Sequence, residues 1–339
     1  MKKTILLASI FTLGAMANSS LIKQAQDAGL QAIPSTEQAI LKLVDNPKNP
    51  MSENKIELGK KLYFDPRLSK SGLISCNTCH NLALGGVDGV EAAIGHNWTA
   101  NPHHLNSPTV YNSVFNTKQF WDGRSPDLED QAQGPIQAEP EMAAPKALVT
   151  GRINSIPAYV KEFRNAYGKE VNISFEKIAD TIATFERTLI TFSRYDKFLL
   201  GDTKQLTSSE KEGLKLFIAK GCTSCHNGVA LGGSMQVFDA GKKYKYKEVG
   251  DFKGDKNGMV KVPTLRNIEE TAPYFHNGKI WTLKEAVQEM GTTQLGMKIS
   301  DEDANKIVTF LKSLTGKKPN ISYPVLPAST EKTAKPDVN

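Results

Sequence analysis

Four cysteines are the chain's whole complement, and all four fall in two copies of one pattern: Cys76-Asn77-Thr78-Cys79-His80 and Cys222-Thr223-Ser224-Cys225-His226. C-x-x-C-H is the attachment signature of c-type haem. Two thiols add across the vinyl groups, two intervening residues let one turn of chain span that edge, and the adjacent histidine is held under the iron. A four-cysteine zinc site needs the pairs brought together and gives no reason for a histidine after each. A redox C-x-x-C belongs after a strand in an α/β pattern, and no strand pattern precedes either site. Structural disulfides leave the two histidines equally unexplained. The reading is therefore two covalently bound c-type haems, with Cys76, Cys79, Cys222 and Cys225 as attachment points and His80 and His226 as proximal iron ligands.

The repeat extends well beyond the haem motifs. Glu57 to Phe64 precedes the first site and Glu212 to Phe217 the second; each reads as an amphipathic helix. Pro108-Thr109-Val110-Tyr111-Asn112 is echoed 155 residues later by Pro263-Thr264-Leu265-Arg266-Asn267, and Phe120-Trp121-Asp122-Gly123-Arg124 by Phe275-His276-Asn277-Gly278-Lys279. The copies differ where a sixth iron ligand belongs. In the second, Thr282 to Met290 reads as a helix ending in methionine, and Met/His ligation raises a haem's potential and fills both axial positions. The position 155 residues before Met290 is Pro135, which cannot ligate iron. One haem is thus built as an electron conduit and the other can open to a small oxidant. Among the methionines after the second motif, Met297 is the competitor of Met290; Met235 and Met259 sit in Gly- and Lys-rich loops.

At these residues the chain resembles the bacterial di-haem cytochrome c peroxidases, from about residue 35 to 318. The likeness rests on the FWDGR run, Gly95-His96-Asn97-Trp98, Thr271-Ala272-Pro273-Tyr274-Phe275-His276 and Gln294-Leu295-Gly296 around the two haem sites. It implies a low-potential peroxidatic first haem and a high-potential second haem where electrons enter. It implies that His96 plugs the first iron in the oxidised resting state, with His103 and His104 as nearby rivals. It implies Glu141 as the distal acid–base group, although Glu139 is its equal on chemistry alone. Gln131 matches a distal-pocket amide, Met142 lies in the loop that moves when the pocket opens, and Trp121 matches a tryptophan between the haems. It further implies an interdomain calcium ion held by the Asn106 side chain and the Thr271 and Pro273 carbonyls, neutral oxygens that suit a hard cation.

The implied activity is reduction of hydrogen peroxide to water with electrons from a donor cytochrome c or other small redox protein, by a protein that pairs as a homodimer. A MauG-like oxidase that modifies a partner protein is the first alternative; those relatives carry tyrosine where Met290 stands. A plain electron carrier is the second, and it leaves Glu141, Gln131 and Trp121 without purpose. Replacing His96 by a non-ligating residue separates an obligatory reductive gate from constitutive activity.

The elements that must position these residues read as mainly α, two duplicated cytochrome c-like haem domains with few or no strands. Residues 1–17 carry Lys2 and Lys3, an apolar run from Ile5 to Phe11 and the Ala15-Met16-Ala17 cleavage pattern of an export signal, which implies the periplasm. The peroxidatic domain spans 35–200 and the electron-transfer domain 201–318. Ile178, Ile182, Phe185, Leu189, Phe192 and Phe198 recur at helical spacing and predict one long linking helix over 174–199 that stops at Gly201. Thr207-x-x-Glu210 and Ser300-x-x-Asp303 read as capping boxes. Residues 319–339, rich in Lys, Pro, Ser and Thr, read as a tail that is loose or merely wraps the surface.

With 339 residues, 39% apolar and 23% charged, the chain has material for about two domains. Composition excludes collagen, coiled coil and disulfide-dense miniature scaffolds. A formal charge of +6, spread along the chain, does not point to nucleic acid. No segment after residue 17 approaches the ~20 apolar residues of a membrane span. The run Lys242 to Lys247 reads as a solvated basic loop ahead of a docking site.

Overall fold

The computed structural model describes residues 20–239 and 242–338; the expected signal at 1–17 lies outside them. The architecture is helical, with four strands of two or three residues among the described residues. In the first domain α1 (Glu53–Phe64) crosses α2 (Phe175–Glu186); in the second, α3 (Ser208–Ala219) crosses α5 (Asp301–Lys312), with α4 (Leu283–Thr293) packed beside it. A glycine makes each crossing possible. A Cβ on Gly59 would overlap the Thr181 carbonyl oxygen, and one on Gly213 the Lys306 carbonyl oxygen. The helices touch backbone to backbone in both copies, as only glycine permits. Leu58, Leu62, Ile178 and Ile182 fill the first core; Leu214, Phe217, Phe310 and Leu311 fill the second. No helix among the described residues is long and apolar enough to cross a membrane.

The internal repeat reaches down to backbone angles. Asn112 and Asn267 both take left-handed φ, 62° and 58°, as do Phe120 and Phe275 at 64° and 70°. Asn112 Oδ1 accepts from the Thr191 N–H and Asn267 Oδ1 from the Gly316 N–H, both at 2.9 Å. β1 (Phe192–Ser193) then pairs antiparallel with β4 (Gly316–Lys317), joining the two copies at their chain exits. β2 (Met235–Val237) and β3 (Met259–Lys261) form the second small sheet, beside the junction.

One expected element is broken. The linking helix over 174–199 ends at Glu186, and a new short helix, Arg194–Leu199, starts after β1. Between them Asn112 takes both the Leu189 carbonyl and the Thr191 N–H out of any helical ladder. Thr188, Ile190 and Thr191 are β-branched and yield to extended backbone, and Ser193 with Asp196 forms a capping box that restarts the helix. The Thr207/Glu210 box forms in full, whereas Ser300 caps the Asp303 N–H without the reciprocal bond.

Both chain ends cross over. Residues 20–33 pack on the second domain through Leu21, Ala25 and Leu30. Of the two expectations for the tail, loose or wrapping the surface, the second describes it: it lies along the first domain. Buried Arg152 donates to the carbonyls of Ala334 and Lys335 as well as Arg67, Ser69 and Lys70, and Arg67 donates to the Pro327 carbonyl. One guanidinium with five donors stitches the strap down.

Arg266 and Asp196 form a fully buried bidentate pair at 2.9–3.0 Å, and Asp196 also accepts the Ile33 N–H at 2.8 Å. Replacing Asp196 with Ala strands a buried guanidinium. The loss expected is about 3–5 kcal/mol, read as a shift in the denaturant midpoint with both haems still attached.

Candidate haem sites and their junction

The two haem motifs open onto two cavities that meet. The first is lined by Cys76, Cys79 and His80 together with Gln131, Pro135, Glu141 and Met142. The second is lined by Cys222, Cys225 and His226 together with Met290, Gln294 and Leu295. Trp121, Asn106 and Lys261 line both.

Each histidine is oriented through its second ring nitrogen. His80 Nδ1 lies 2.9 Å from the Pro108 carbonyl oxygen and His226 Nδ1 lies 3.2 Å from that of Leu231. Facing a carbonyl, Nδ1 must carry the proton and donate, which leaves Nε2 with its lone pair for a metal. Burial pushes both imidazoles down, His226 to about 4, so each is held in the neutral, ligating form. The thiols beside them are half-buried, and desolvation pushes Cys79 up to about 12 and Cys222 to about 11. Paired thiols, a neutral imidazole and an apolar cavity in each copy fit covalently attached haem.

The cavities differ in the other residues that line them. Met290 projects from α4, which runs on to Thr293, three residues past the expected end; Met297 is exposed and outside the cavity. Pro135 faces the first cavity and offers no ligand. Glu141 lines that cavity, and burial raises its carboxyl above the usual range, partly offset by Arg124 and His103. Glu139 is exposed and lines neither cavity, so geometry separates two glutamates that chemistry alone left equal. Gln131 sits at the end of the short Leu128–Gln131 helix and lines the same cavity.

His96 is buried but does not line the first cavity. Its backbone N–H donates to the Glu141 carbonyl at 2.7 Å, and its Nδ1 has no hydrogen-bond partner. The loop is closed by Gly95 N–H to Thr99 and Asn101 N–H to Ala93. A Cβ at Gly95 would overlap the Pro140 carbonyl oxygen, so the His96 and Glu141 loops lie backbone against backbone. The two loops are therefore coupled at this contact. Among its rivals, His103 lines the cavity at the solvent side and pairs with Asp251 at 3.0 Å, while His104 lies off it.

Trp121 is buried at the junction. Its Nε1–H donates to the Asn106 carbonyl at 2.9 Å, and its ring meets that of its repeat counterpart His276 edge-on at 6.4 Å. Asn106, Thr271 and Pro273 all line the second cavity. The Asn106 amide nitrogen donates to the Val90 carbonyl, which turns Oδ1 the other way. Among the described residues Asn106 Oδ1 and the carbonyl oxygens of Thr271 and Pro273 accept no hydrogen bond. Three unpartnered neutral oxygens fit a hard cation with water completing its shell.

Three residues without a role at the level of sequence also reach the cavities. Arg124 stacks on Phe120 with its guanidinium carbon 3.4 Å from the ring centre, and lines the first cavity near Glu141. Glu186 is buried beside Cys76 with Oε2 unpartnered, and burial pushes its carboxyl up to about 8. Lys261 is buried where the cavities join. Arg124 stood in a quoted motif; nothing in the local pattern marks Glu186 or Lys261. In the basic run, Tyr244 is buried and donates to Asn277 Oδ1, and Lys245 pairs with Glu285, so the segment is anchored to the second domain.

Comparison with known proteins agrees with this geometry. The family model described as di-haem cytochrome c peroxidase matches residues 53–204, and that of cytochrome c matches 210–315. The chain is 47% identical over 301 residues to the cytochrome c551 peroxidase of Pseudomonas aeruginosa, covering 85% of this chain and 86% of the relative. It is 46% identical over 293 residues to that of Nitrosomonas europaea, covering 84% and 86%. A crystal structure of a MauG-like protein associated with microbial copper homeostasis superposes with a TM-score of 0.70 at 29% identity, over 80% of this chain and 93% of the other. Two C-x-x-C-H cavities of unequal lining, on a duplicated helical chain so closely related to these proteins, place it in the di-haem cytochrome c peroxidase family.

Proposed function

We propose that the chain is a periplasmic peroxidase that reduces hydrogen peroxide to water with electrons from a small donor cytochrome or similar redox protein. The observation that carries this reading is the unequal lining of the two cavities: Met290 shares one with His226, whereas Pro135, Glu141 and Gln131 share the other with His80. When bound, the two haems supply an oxidant-binding iron and a second electron store.

The protein's own groups manage protons and position. Glu141, ionised, takes a proton from the near oxygen of peroxide and returns it to the far oxygen as that becomes water, general base and then general acid. Burial raises its pKa above the ordinary carboxylate value, which eases its return of the proton as an acid. Gln131 donates an amide hydrogen to the bound oxygens and fixes their orientation. Each turnover consumes one peroxide, two protons and two electrons and releases two waters. Trp121, bonded to Asn106 and shared by both cavities, is the bridge along which electrons cross. Calcium held by Asn106, Thr271 and Pro273 would stiffen that same junction. Homodimer formation is part of this reading.

His96 is the gate in this proposal. With haem bound, His96 would hold the first iron in the oxidised resting enzyme and return to its buried, off-cavity position when the pocket opens. The test uses haem-loaded protein with calcium, following peroxide-dependent oxidation of reduced cytochrome c with and without prior one-electron reduction. Turnover only after reduction supports peroxidase and gate together; turnover in both states keeps the peroxidase and discards the gate. No turnover in either, with both haems present and several donors tried, overturns the reading. His96→Ala should turn over at once in the oxidised state, and a variant that still needs pre-reduction refutes the plug.

A further inference from the structure

Lys261 ends β3 with its side chain only 5% exposed, and it lines both haem cavities. Among the described residues its ammonium has neither hydrogen bond nor ion pair, and burial alone pushes its pKa down, to about 8. Other buried cations here are provided for: Arg266 has Asp196, and Arg152 has five carbonyls. A buried charge persists when something compensates it. Nothing in the polypeptide compensates this one.

The repeat says what the position is for. Lys261 stands 155 residues after Asn106. The Asn106 N–H donates to the His276 carbonyl at 2.8 Å, and the Lys261 N–H donates to the Trp121 carbonyl at 2.7 Å, the same bond with the copies exchanged. The two residues are therefore counterparts across the junction. On the Asn106 side unpartnered neutral oxygens fit a metal cation; on the other side the chain supplies its own cation.

We propose that Lys261 is a haem-binding residue whose ammonium pairs with a haem propionate carboxylate at the junction of the two cavities. It acts as a fixed positive charge on the electron path opposite Asn106. The first haem supplies that carboxylate, because the Lys261 N–H is bonded to the Trp121 carbonyl of the first domain. The proposal rests on the di-haem reading and is independent of peroxide being the substrate. A cation beside the site disfavours the oxidised, more positive iron and so raises its potential.

The test is spectropotentiometric titration of both haems in the calcium-loaded holoenzyme, comparing wild type with Lys261→Met, Lys261→Gln and Lys261→Arg. Covalent haem content and the ligation spectrum of the second haem report integrity without reference to turnover. The expected result is a fall in the first haem's potential by about 59 mV or more in the Met and Gln variants, a tenfold change in its reduction equilibrium, largely restored by Arg. A fall confined to the second haem keeps the ammonium–carboxylate pair and assigns the propionate to that haem. Unchanged potentials at both haems, in a di-haem Met or Gln variant, overturn the proposal. Peroxidase turnover can fail while the shift appears, so the two readings fall separately.

Discussion

Glu141→Gln is expected to lower kcat for peroxide reduction by ~10²–10⁴-fold, the usual worth of a positioned acid–base group, with both haem spectra unchanged. Gln keeps the size and the hydrogen-bonding reach of the side chain and removes only its ability to exchange a proton. The pH profile gives the sign. Glu141 must be ionised to accept the first proton, and burial raises its pKa. Wild-type kcat therefore falls as pH drops through that raised value, and the acid limb vanishes in the variant. Glu139→Gln is the control: that side chain is exposed and away from the cavity, so its rate should stay within twofold of wild type (about 0.4 kcal/mol by transition-state arithmetic). Stopped-flow measurement of peroxide reduction from pH 5 to 8 reads both effects. Equal losses in the two variants would remove Glu141 from the mechanism.

The second large effect is expected at Met290. Met290→His leaves the second iron a nitrogen ligand while removing the thioether that favours the reduced form. The second haem's potential should fall on the order of 0.2 V, roughly a quarter of the ~0.8 V that axial ligands command. At 59 mV per tenfold step that is roughly a thousand-fold loss in accepting an electron from the donor. Cytochrome-dependent turnover should fall with it. A strong artificial reductant should still drive peroxide reduction, because the first cavity and Glu141 are untouched. Met297→Leu should change neither potential, since Met297 is exposed and off the cavity. A Met290 variant with wild-type potential would show that another group ligates the second iron.

These expectations depend on distances that the motifs do not contain. Pro140 and Gly95 lie far apart in sequence, yet a Cβ at Gly95 would overlap the Pro140 carbonyl, and this contact ties the His96 loop to the Glu141 loop. The same applies to the linking helix. Its apolar spacing over 174–199 is genuine, and Ile178, Ile182, Phe185, Leu189 and Phe198 are all buried as the pattern requires. Asn112, from the first repeat's turn, nevertheless takes the backbone bonds of Leu189 and Thr191 and ends the helix at Glu186. A periodicity reports which face is buried; it does not report a competing tertiary hydrogen bond. The tail follows the same logic, since a Lys- and Pro-rich segment carries no pattern of its own and is ordered by what Arg152 and Arg67 offer it.

What the sequence by itself determined is what local covalent chemistry and repetition encode. Two C-x-x-C-H motifs with no cysteine to spare specify two haem attachments, the offset of 155 specifies a duplicated helical fold, and Met290 against Pro135 gives the two copies different residues at the position where a sixth ligand is expected. Tertiary structure alone decided the matters of long-range proximity. It set Glu141 in the first cavity and Glu139 outside it, set Met290 in the second cavity and Met297 outside it, put His96 off the cavity, and gathered Trp121, Asn106 and Lys261 at one junction. The reason is physical. Attachment and helix periodicity act within a few residues along the chain, whereas burial, which raises the Glu141 pKa and leaves Lys261 without a partner, exists only once the two copies have packed together.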